Sequence, residues 1–340
     1  MKLKYVISDW GRIPRGVAWL TGLWLAAAVL YAGPEDSAAE PGHLFRMGFS
    51  PNILVGFNEN DANAAVKTWV RTLAEERHIQ VDPNPEVFTS LPAMVKSWQG
   101  QKVDIVTMTL PEYWSIREDL KFNRFISATR TGGEFMETYL LLVRKDSSWQ
   151  TAADLKGRSL LVLESPAMSL AQPWLDTILL ESNLEPASQY FGRITTNTKL
   201  AKVVLPVFFR QADACLVSQS GFAILGEMNP QIFEQLKPLA TSPALLPSGG
   251  FFNAATPAAA VDRMIEQLKQ VHTSPAGQQL LTVFQAERVE ERPLTCMQGA
   301  LDLLARHEEL LKAYRTHANN ASPAAPAIAE PLAPPQTARK

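Results

Sequence analysis

The chain has 340 residues, of which 46% are hydrophobic and 19% charged, and it carries a formal net charge of −2. This is the composition of an ordinary globular protein that is long enough to form two lobes. Basic residues outnumber acidic ones within residues 1–32, so the remainder of the chain is mildly acidic. We expect no nucleic-acid partner, because a mildly acidic protein does not bind by neutralising phosphates.

The first 32 residues have the layout of a secretory signal peptide. A basic start precedes an apolar run over residues 17–32, and small residues follow it. The run is just short of the roughly 20 residues that span a bilayer, which favours cleavage over the alternative of an uncleaved anchor. We therefore predict a signal peptide at residues 1–32, a polar linker at residues 33–42 and a periplasmic protein.

The next part of the chain alternates between strands and helices. Short apolar segments predict three strands, at residues 44–49, 87–88 and 102–108. Capping residues predict helices that begin near Asn60 or Asp61 and at Ser90. Strands and helices in this order are typical of a parallel sheet covered by helices.

A second alternation follows two extended segments, at residues 125–130 and 136–145. Thr151 is predicted to cap a single helical turn before a strand at residues 159–163, and a helix is predicted at residues 173–181. This order again indicates a layer of strands and helices.

Residues 200–208 have apolar side chains at helical spacing, and Pro206 predicts a kink or an early end of that helix. A buried strand is predicted at residues 211–217, followed by a helix that Ser218 caps. In a parallel layer such a strand places its polar end at the carboxyl edge, where ligands bind. We expect Asp213 and Ser218 at this edge.

The C-terminal part is mainly helical. Helices are predicted to begin at Thr256-Pro257 and Ser274-Pro275 and to span residues 301–314. Residues 317–340 are rich in Pro and Ala and have almost no large apolar side chain, so we predict a disordered tail. Cys215 and Cys296 could pair in an exported protein, but Cys215 lies in the most apolar strand, which favours two free thiols.

Two phrases of the sequence resemble those of periplasmic solute-binding proteins of the phosphate/phosphonate group, which serve ABC importers. They are VFFRQADACLVSQSGF…EMNPQ within residues 207–231 and VDI at 103–105. A third phrase, DLKG at 154–157, is similar to one that recurs widely among solute-binding proteins. The likeness of order and spacing extends over roughly residues 43–290. It implies an α/β fold of the type II periplasmic-binding class, with two lobes that are each a mostly parallel sheet flanked by helices.

The resemblance also implies how the chain divides. Residues 43–136 would start lobe 1, residues 137–239 would form lobe 2, and residues 240–316 would return to lobe 1. Crossover strands join such lobes, and the segment 136–145 is expected to be one of them. The implied function is to trap a small solute between the lobes and to hand it to an ABC permease. The alternative is a solo periplasmic sensor that passes its ligand state to a membrane receptor.

Polar residues follow predicted strands at four corresponding places, each near a helix start. Hydroxyls and helix N-terminal amides together can hold an anion, although an ordinary N-cap is the alternative for each one. We predict a ligand site that contains Ser50, Asn52, Thr107, Thr109, Tyr113, Ser165, Met168, Ser169, Asp213 and Ser218. Within this set Asp213 is expected to receive a cationic group of the ligand.

Phosphonate binders carry a Ser-Thr-Ser-Gly turn that is followed by three residues and a proline. Counting back from Pro173, this chain has Pro166-Ala167-Met168-Ser169 at that place, so most of the hydroxyls are missing. Each unpaired buried acceptor costs about 1–3 kcal/mol, which argues against a phosphoryl group held in the usual way. Met168 and Tyr113 offer an apolar or aromatic wall, with core packing as the alternative. The expected ligand is small and anionic or zwitterionic, similar to phosphonate or phosphate.

The sequence gives little reason to expect catalysis. None of the five histidines has metal-ligand spacing to another ligand residue, and the nucleophile-elbow, phosphate-loop and dinucleotide-binding motifs are absent from the sequence. We therefore predict a monomeric binding protein without a cofactor or metal. An enzyme built on the same scaffold is the third alternative.

Overall fold

The computed structural model describes residues 43–56, 58–77 and 79–321. The predicted signal peptide and linker, at residues 1–42, lie outside this described part. Most of the predicted tail also lies outside it, from residue 322 onwards.

The described strands follow the predicted order, with additions. They are β1 (Met47–Phe49), β2 (Glu86–Val87), β3 (Ile105–Thr109), β4 (Phe122–Thr129), β5 (Tyr139–Arg144), β6 (Ser159–Leu163), β7 (Arg193–Asn197), β8 (Ala214–Ser218), β9 (Leu236–Thr241), β10 (Ser248–Asn253) and β11 (Arg288–Glu291). The helices are α1 (Glu59–Arg77), α2 (Leu91–Gln99), α3 (Leu110–Ile116), α4 (Ala171–Glu181), α5 (Ala187–Tyr190), α6 (Leu200–Phe208), α7 (Gln219–Met228), α8 (Gln231–Gln235), α9 (Ala258–Lys269), α10 (Pro275–Val283) and α11 (Gln298–Ala321).

The strands form two sheets, each of which belongs to one lobe. The first sheet has six strands in the order β11-β4-β10-β3-β1-β2, and the second has five in the order β7-β6-β8-β5-β9. In the first sheet β1 is parallel to β2 and β3, and in the second β6 is parallel to β7 and β8. The predicted α/β class with two helix-flanked sheets is confirmed. The sheets are mixed and not mostly parallel as predicted, because β10 is antiparallel to β3 and β4, and β5 is antiparallel to β8 and β9.

The chain passes between the two sheets twice, at residues 130–138 and 242–247. The two crossings pair with each other, because the Glu137 and Leu245 main chains exchange hydrogen bonds of 2.7 and 2.8 Å. Such a pair of adjacent strands is the element about which two lobes can bend.

Local capping signals explain where several helices begin. Ser90 caps α2 by accepting from the amide of Ala93, and Ser218 caps α7 by accepting from Gly221. Helix α6 continues only two residues beyond Pro206, as the missing amide of proline predicts. The start of α1 was predicted too late, because the cap is the side chain of Asn58, which accepts from the amides of the two residues proposed as caps.

The C-terminal end of the described chain also differs from the prediction. Helix α11 runs through residue 321, so the first five residues of the predicted tail are helical. Strands β9, β10 and β11 were not predicted. Strand β11 is a polar edge strand without an apolar alternation.

Apolar side chains of both sheets join one hydrophobic cluster, which includes Phe125 and Phe251 of the first sheet and Leu141 of the second. Cys215 lies within this cluster, where burial raises the pKa of its thiol, and both cysteines are unpaired as predicted. None of the helices formed by the described residues has the length and apolar character needed to cross a membrane.

Candidate functional site

The carboxyl edge of the first sheet is built by β1 and β3. These strands are parallel neighbours, so both end at the same edge. Ser50 follows β1 directly, and its amide donates to the carbonyl of Thr107 at 3.0 Å. Thr109 ends β3 and caps α3 through a capping box with Glu112.

The side chain of Glu112 lies at the centre of this edge. Its Oε2 accepts hydrogen bonds from the Ser50 hydroxyl (2.6 Å), the Thr109 hydroxyl (2.8 Å) and the Thr109 amide (3.0 Å). Its Oε1 accepts from the amide of Asn52 at 3.0 Å. Because Glu112 is only 4% exposed, these donors provide the hydrogen bonds that a buried carboxylate requires.

The carboxyl edge of the second sheet presents the turn that follows β6. Residues Pro166–Met168 form a single turn of 3-10 helix, and α4 begins shortly after it. The hydroxyl of Tyr139 donates to the carbonyl of Ala167 at 3.0 Å and fixes this turn on the sheet. Met168, the last residue of this turn, is buried in the main hydrophobic cluster, which is the core packing named as its alternative.

A second buried carboxylate lies where β8 ends. The hydroxyl of Ser220 donates to Glu137 at 3.0 Å, and a guanidinium nitrogen of Arg130 lies 3.2 Å from the same carboxylate. Glu137 is 3% exposed, and this burial raises its pKa, while the charge of Arg130 and the hydroxyl of Ser220 oppose the rise. The ion pair lies within the first crossing, and the hydrogen bond from Ser220 joins that crossing to α7 of lobe 2.

Several contacts connect the two carboxyl edges. The carbonyl of Pro247, in the second crossing, accepts from the amide of Leu110 at 2.8 Å and from the hydroxyl of Ser169 at 2.9 Å. Gly56, in the loop after β1, has a φ of 85°, and a Cβ built on it would lie 3.7 Å from Thr198 of lobe 2. The loop after β1 thus approaches the carboxyl edge of the second sheet.

Helix α11 packs against both lobes. The indole nitrogen of Trp114, in α3, donates to Glu308 at 2.9 Å. On the other lobe, Arg306 donates to Glu181 at the end of α4 at 3.0 Å. One helix therefore bridges the two lobes on the outside.

Most of the predicted site residues fall on these two edges. In lobe 1 they are Ser50, Asn52, Thr107 and Thr109, and in lobe 2 they are Ser165, Met168, Ser169 and Ser218. Tyr113 stacks on Phe251 with ring centroids 5.1 Å apart, which is the core packing named as its alternative. That these residues bind a ligand stays a prediction.

The predicted position of Asp213 is wrong. Asp213 precedes β8, and its carboxylate accepts from the amide (2.9 Å) and the hydroxyl (2.7 Å) of Ser159, the first residue of β6. Because β6 and β8 are parallel, both residues lie at the amino edge of the sheet. Asp213 is therefore at the edge opposite to Ser218 and does not converge with Thr107.

The sequence analysis did not select Glu112, although a signal for it exists. Thr109 and Glu112 have the capping-box spacing, with Glu three residues after Thr at a strand-to-helix joint. That pattern predicts the hydrogen bonds within α3, but not those from Ser50 and Asn52. Among the described residues, no three His, Cys, Asp or Glu side chains are grouped so that they could hold a metal ion.

Two sheets joined by two paired crossings, with their carboxyl edges in contact, define the class of two-lobed binding proteins. The chain belongs to the family described as "ABC transporter, phosphonate, periplasmic substrate-binding protein", which it matches over residues 53–292. The predicted class is thereby confirmed: this is a periplasmic substrate-binding protein, whose family binds small molecules and works with an ABC permease. Its family is one of binding proteins and not of enzymes.

Solved structures show the same fold at low sequence identity. A Xanthomonas citri protein bound to chloride ion has a TM-score of 0.57 and 14% identity, over 79% of this chain and 99% of its own. A binding-protein component of an ABC phosphonate transporter from Pseudomonas aeruginosa has a TM-score of 0.52 and 14% identity, over 82% and 99%. PhnD1 from Prochlorococcus marinus, in complex with methylphosphonate, has a TM-score of 0.52 and 13% identity, over 80% and 98%. No curated protein matches the chain.

Proposed function

We propose that the chain captures a small anionic or zwitterionic solute between its lobes and delivers it to an ABC permease. The observation that carries this proposal is the approach of the two carboxyl edges, which Ser169 and Leu110 make through the shared carbonyl of Pro247. A site at this place is completed when the lobes come together about the two crossings, which couples binding to closure.

The lobe 2 turn offers a hydroxyl that can bind an anion. The hydroxyl of Ser165 has no hydrogen-bond partner within the described residues, whereas Ser169 is held by Pro247 and Ser218 by the amide of Gly221. A hydroxyl that is free in the protein can donate to an oxyanion without breaking an existing hydrogen bond. In this proposal Ser165 contacts the ligand, and Met168 supports the turn from below.

The proposal also covers the oligomeric state, the processing and the division of the chain into lobes. The mature protein would be a monomer in the periplasm after removal of residues 1–32, with lobe 1 starting at residue 43 and lobe 2 at residue 137. It would perform no catalysis and bind no nucleic acid. A mass measurement of the exported protein tests the removal of residues 1–32. A chain that retains Met1 and stays on the membrane would be anchored instead.

A thermal-shift screen tests the ligand class. Methylphosphonate is the first compound to test because the related PhnD1 structure contains it, and phosphate, sulfate and amino acids complete the panel. A compound at 100 times its Kd stabilises the protein by about 2.7 kcal/mol, which is readily detected.

Ser165→Ala and Ser182→Ala form a matched pair for the compound that stabilises most. Ser182 lies at the far end of α4, where its hydroxyl bonds to the carbonyl of Ile178. We expect Ser165→Ala to weaken binding by roughly tenfold, as the loss of about 1.4 kcal/mol would do, and Ser182→Ala to leave it unchanged. Equal affinities for both variants, or no stabilising compound in the panel, would contradict the proposal.

A further inference from the structure

The donors around Glu112 have the composition of an oxyanion site. Two hydroxyls and two main-chain amides, from Ser50, Asn52 and Thr109, surround the carboxylate at 2.6 to 3.0 Å. Each oxygen accepts one main-chain N–H, which can only donate, so both oxygens act as acceptors. Hydroxyls and amides in this arrangement can bind the oxygens of phosphate, phosphonate or carboxylate ligands.

The anion at this place is part of the protein itself. Glu112 is 4% exposed, and no ion pair to it is found within residues 43–56, 58–77 and 79–321. The capping box with Thr109 also holds its carboxylate at the start of α3. A free anion therefore meets occupied donors and a nearby negative charge without a neutralising cation.

We propose that Glu112 is a specificity-determining residue, an internal anion that occupies the lobe 1 donors and keeps ligand oxyanions from them. Resting on the proposed function, this means that the oxyanion of the solute binds to lobe 2 at Ser165 and not to the donors around Glu112. The opposite end of the solute, facing lobe 1, is neutral or cationic. A solute with an anionic group at each end is excluded, because its second charge would face Glu112.

Glu112→Ala opens the proposed position and Glu112→Gln keeps it filled. Glu112→Ala removes the carboxylate and leaves all four donors, together with a cavity that formate can enter. Glu112→Gln has almost the same shape without the charge, so it leaves no room for an added anion. The two variants thus separate loss of the carboxylate from access to the donors.

The experiment is thermal unfolding of wild type and both variants in sodium formate and in sodium chloride of equal ionic strength. We expect formate to raise the unfolding midpoint of Glu112→Ala by about 3 °C over chloride, an ordinary result of binding to the folded state. Wild type and Glu112→Gln should have the same midpoint in the two salts. If Glu112→Ala is too unstable for melting, formate should raise its yield on refolding from urea.

A Glu112→Ala protein that responds equally to formate and chloride overturns the proposal, and so does one that folds in neither salt. A formate response of Glu112→Gln as large as that of Glu112→Ala also overturns it. The measurement uses no natural ligand and no closure of the lobes. Its failure is therefore distinguishable from a failure of the solute screen, which tests the proposed function alone.

Discussion

Glu112 and Glu137 are both buried carboxylates, with exposures of 4% and 3%, but their partners differ in kind and in origin. Within the part of the chain that the structure describes, Glu112 bonds only to uncharged donors, all of which belong to the edge of one sheet. Glu137 bonds to a guanidinium from the first crossing and to a serine after β8. Hydrogen bonds within one lobe are kept when the lobes move relative to each other. Hydrogen bonds at a crossing change when the crossing bends.

Glu112 and Glu137 represent two ways in which a binding protein can bury a negative charge. Dipoles that are fixed by a rigid sheet hold Glu112 without a cation, at the cost of donors that a ligand could have used. Arg130 holds Glu137 by direct attraction, which is strong only while both groups remain in place. Removing the cation from Glu137 should therefore have the larger effect on stability.

Arg130→Met should produce the largest change. It leaves Glu137 buried without its cation, and breaking one side of a buried pair lowers the free energy of unfolding by about 3 kcal/mol. Urea unfolding of the purified protein measures this. Arg306→Met is the matched control, because the partners of Arg306 are exposed and each such pair contributes only about 0.5 kcal/mol. Equal losses for the two variants would show that Arg130 is not needed to stabilise Glu137.

Removing one serine hydroxyl that donates to each carboxylate should lower the free energy of unfolding by intermediate and unequal amounts. Ser50→Ala takes one of the donors of Glu112, which has no cationic partner among the described residues, and should lower the free energy of unfolding by about 2 kcal/mol. Ser220→Ala takes a donor from Glu137, which keeps Arg130, and should cost about 1 kcal/mol. The same urea titrations give both values. A larger loss of unfolding free energy for Ser220→Ala than for Ser50→Ala would contradict the view that Glu112 depends more on its hydrogen bonds than Glu137 does.

The smallest expected effect is on the pH dependence of stability. Burial raises the pKa of Glu137 above its ordinary 4.5, so the folded state holds this proton at a pH where the unfolded state has lost it. The stabilisation is therefore complete below pH 4.5 and is lost as the pH rises through the raised value. Glu137→Gln should lack this component, so wild type should lose stability relative to it as the pH rises. Parallel curves for the two proteins would contradict the assignment.

Much of the fold could be predicted because its signals are local. The caps at Ser90, Thr151 and Ser218 fall where the sequence placed them. The order of strands and helices then restricts the possible topologies, since connections are short and parallel strands need helices between them. The edge strand β11 has neither an apolar pattern nor turn signals, so only its pairing with β4 identifies it as a strand.

The candidate site was less predictable because it depends on direction and on contacts between distant residues. Asp213 was assigned to the carboxyl edge, but it precedes its strand, and one residue before a strand belongs to the opposite edge. The hydrogen bonds of Ser50 and Asn52 to Glu112 span about sixty positions, and no local pattern contains them. The polar residues were therefore correctly located on the lobe 1 edge, while the carboxylate between them was missed.

The carbonyl of Pro247, which Leu110 and Ser169 share, affects how readily the lobes can separate. When they part, the amide of Leu110 stays bonded, because Pro247 directly precedes β10, whose Ser248 pairs with Thr109 in the first sheet. Only the hydroxyl of Ser169 leaves, and water in the opening cleft replaces its partner. The net loss is about 1 kcal/mol, so this hydrogen bond changes the ratio of joined to parted molecules by only about fivefold. Such a contact favours the joined arrangement slightly, but it is too weak to keep an empty protein shut.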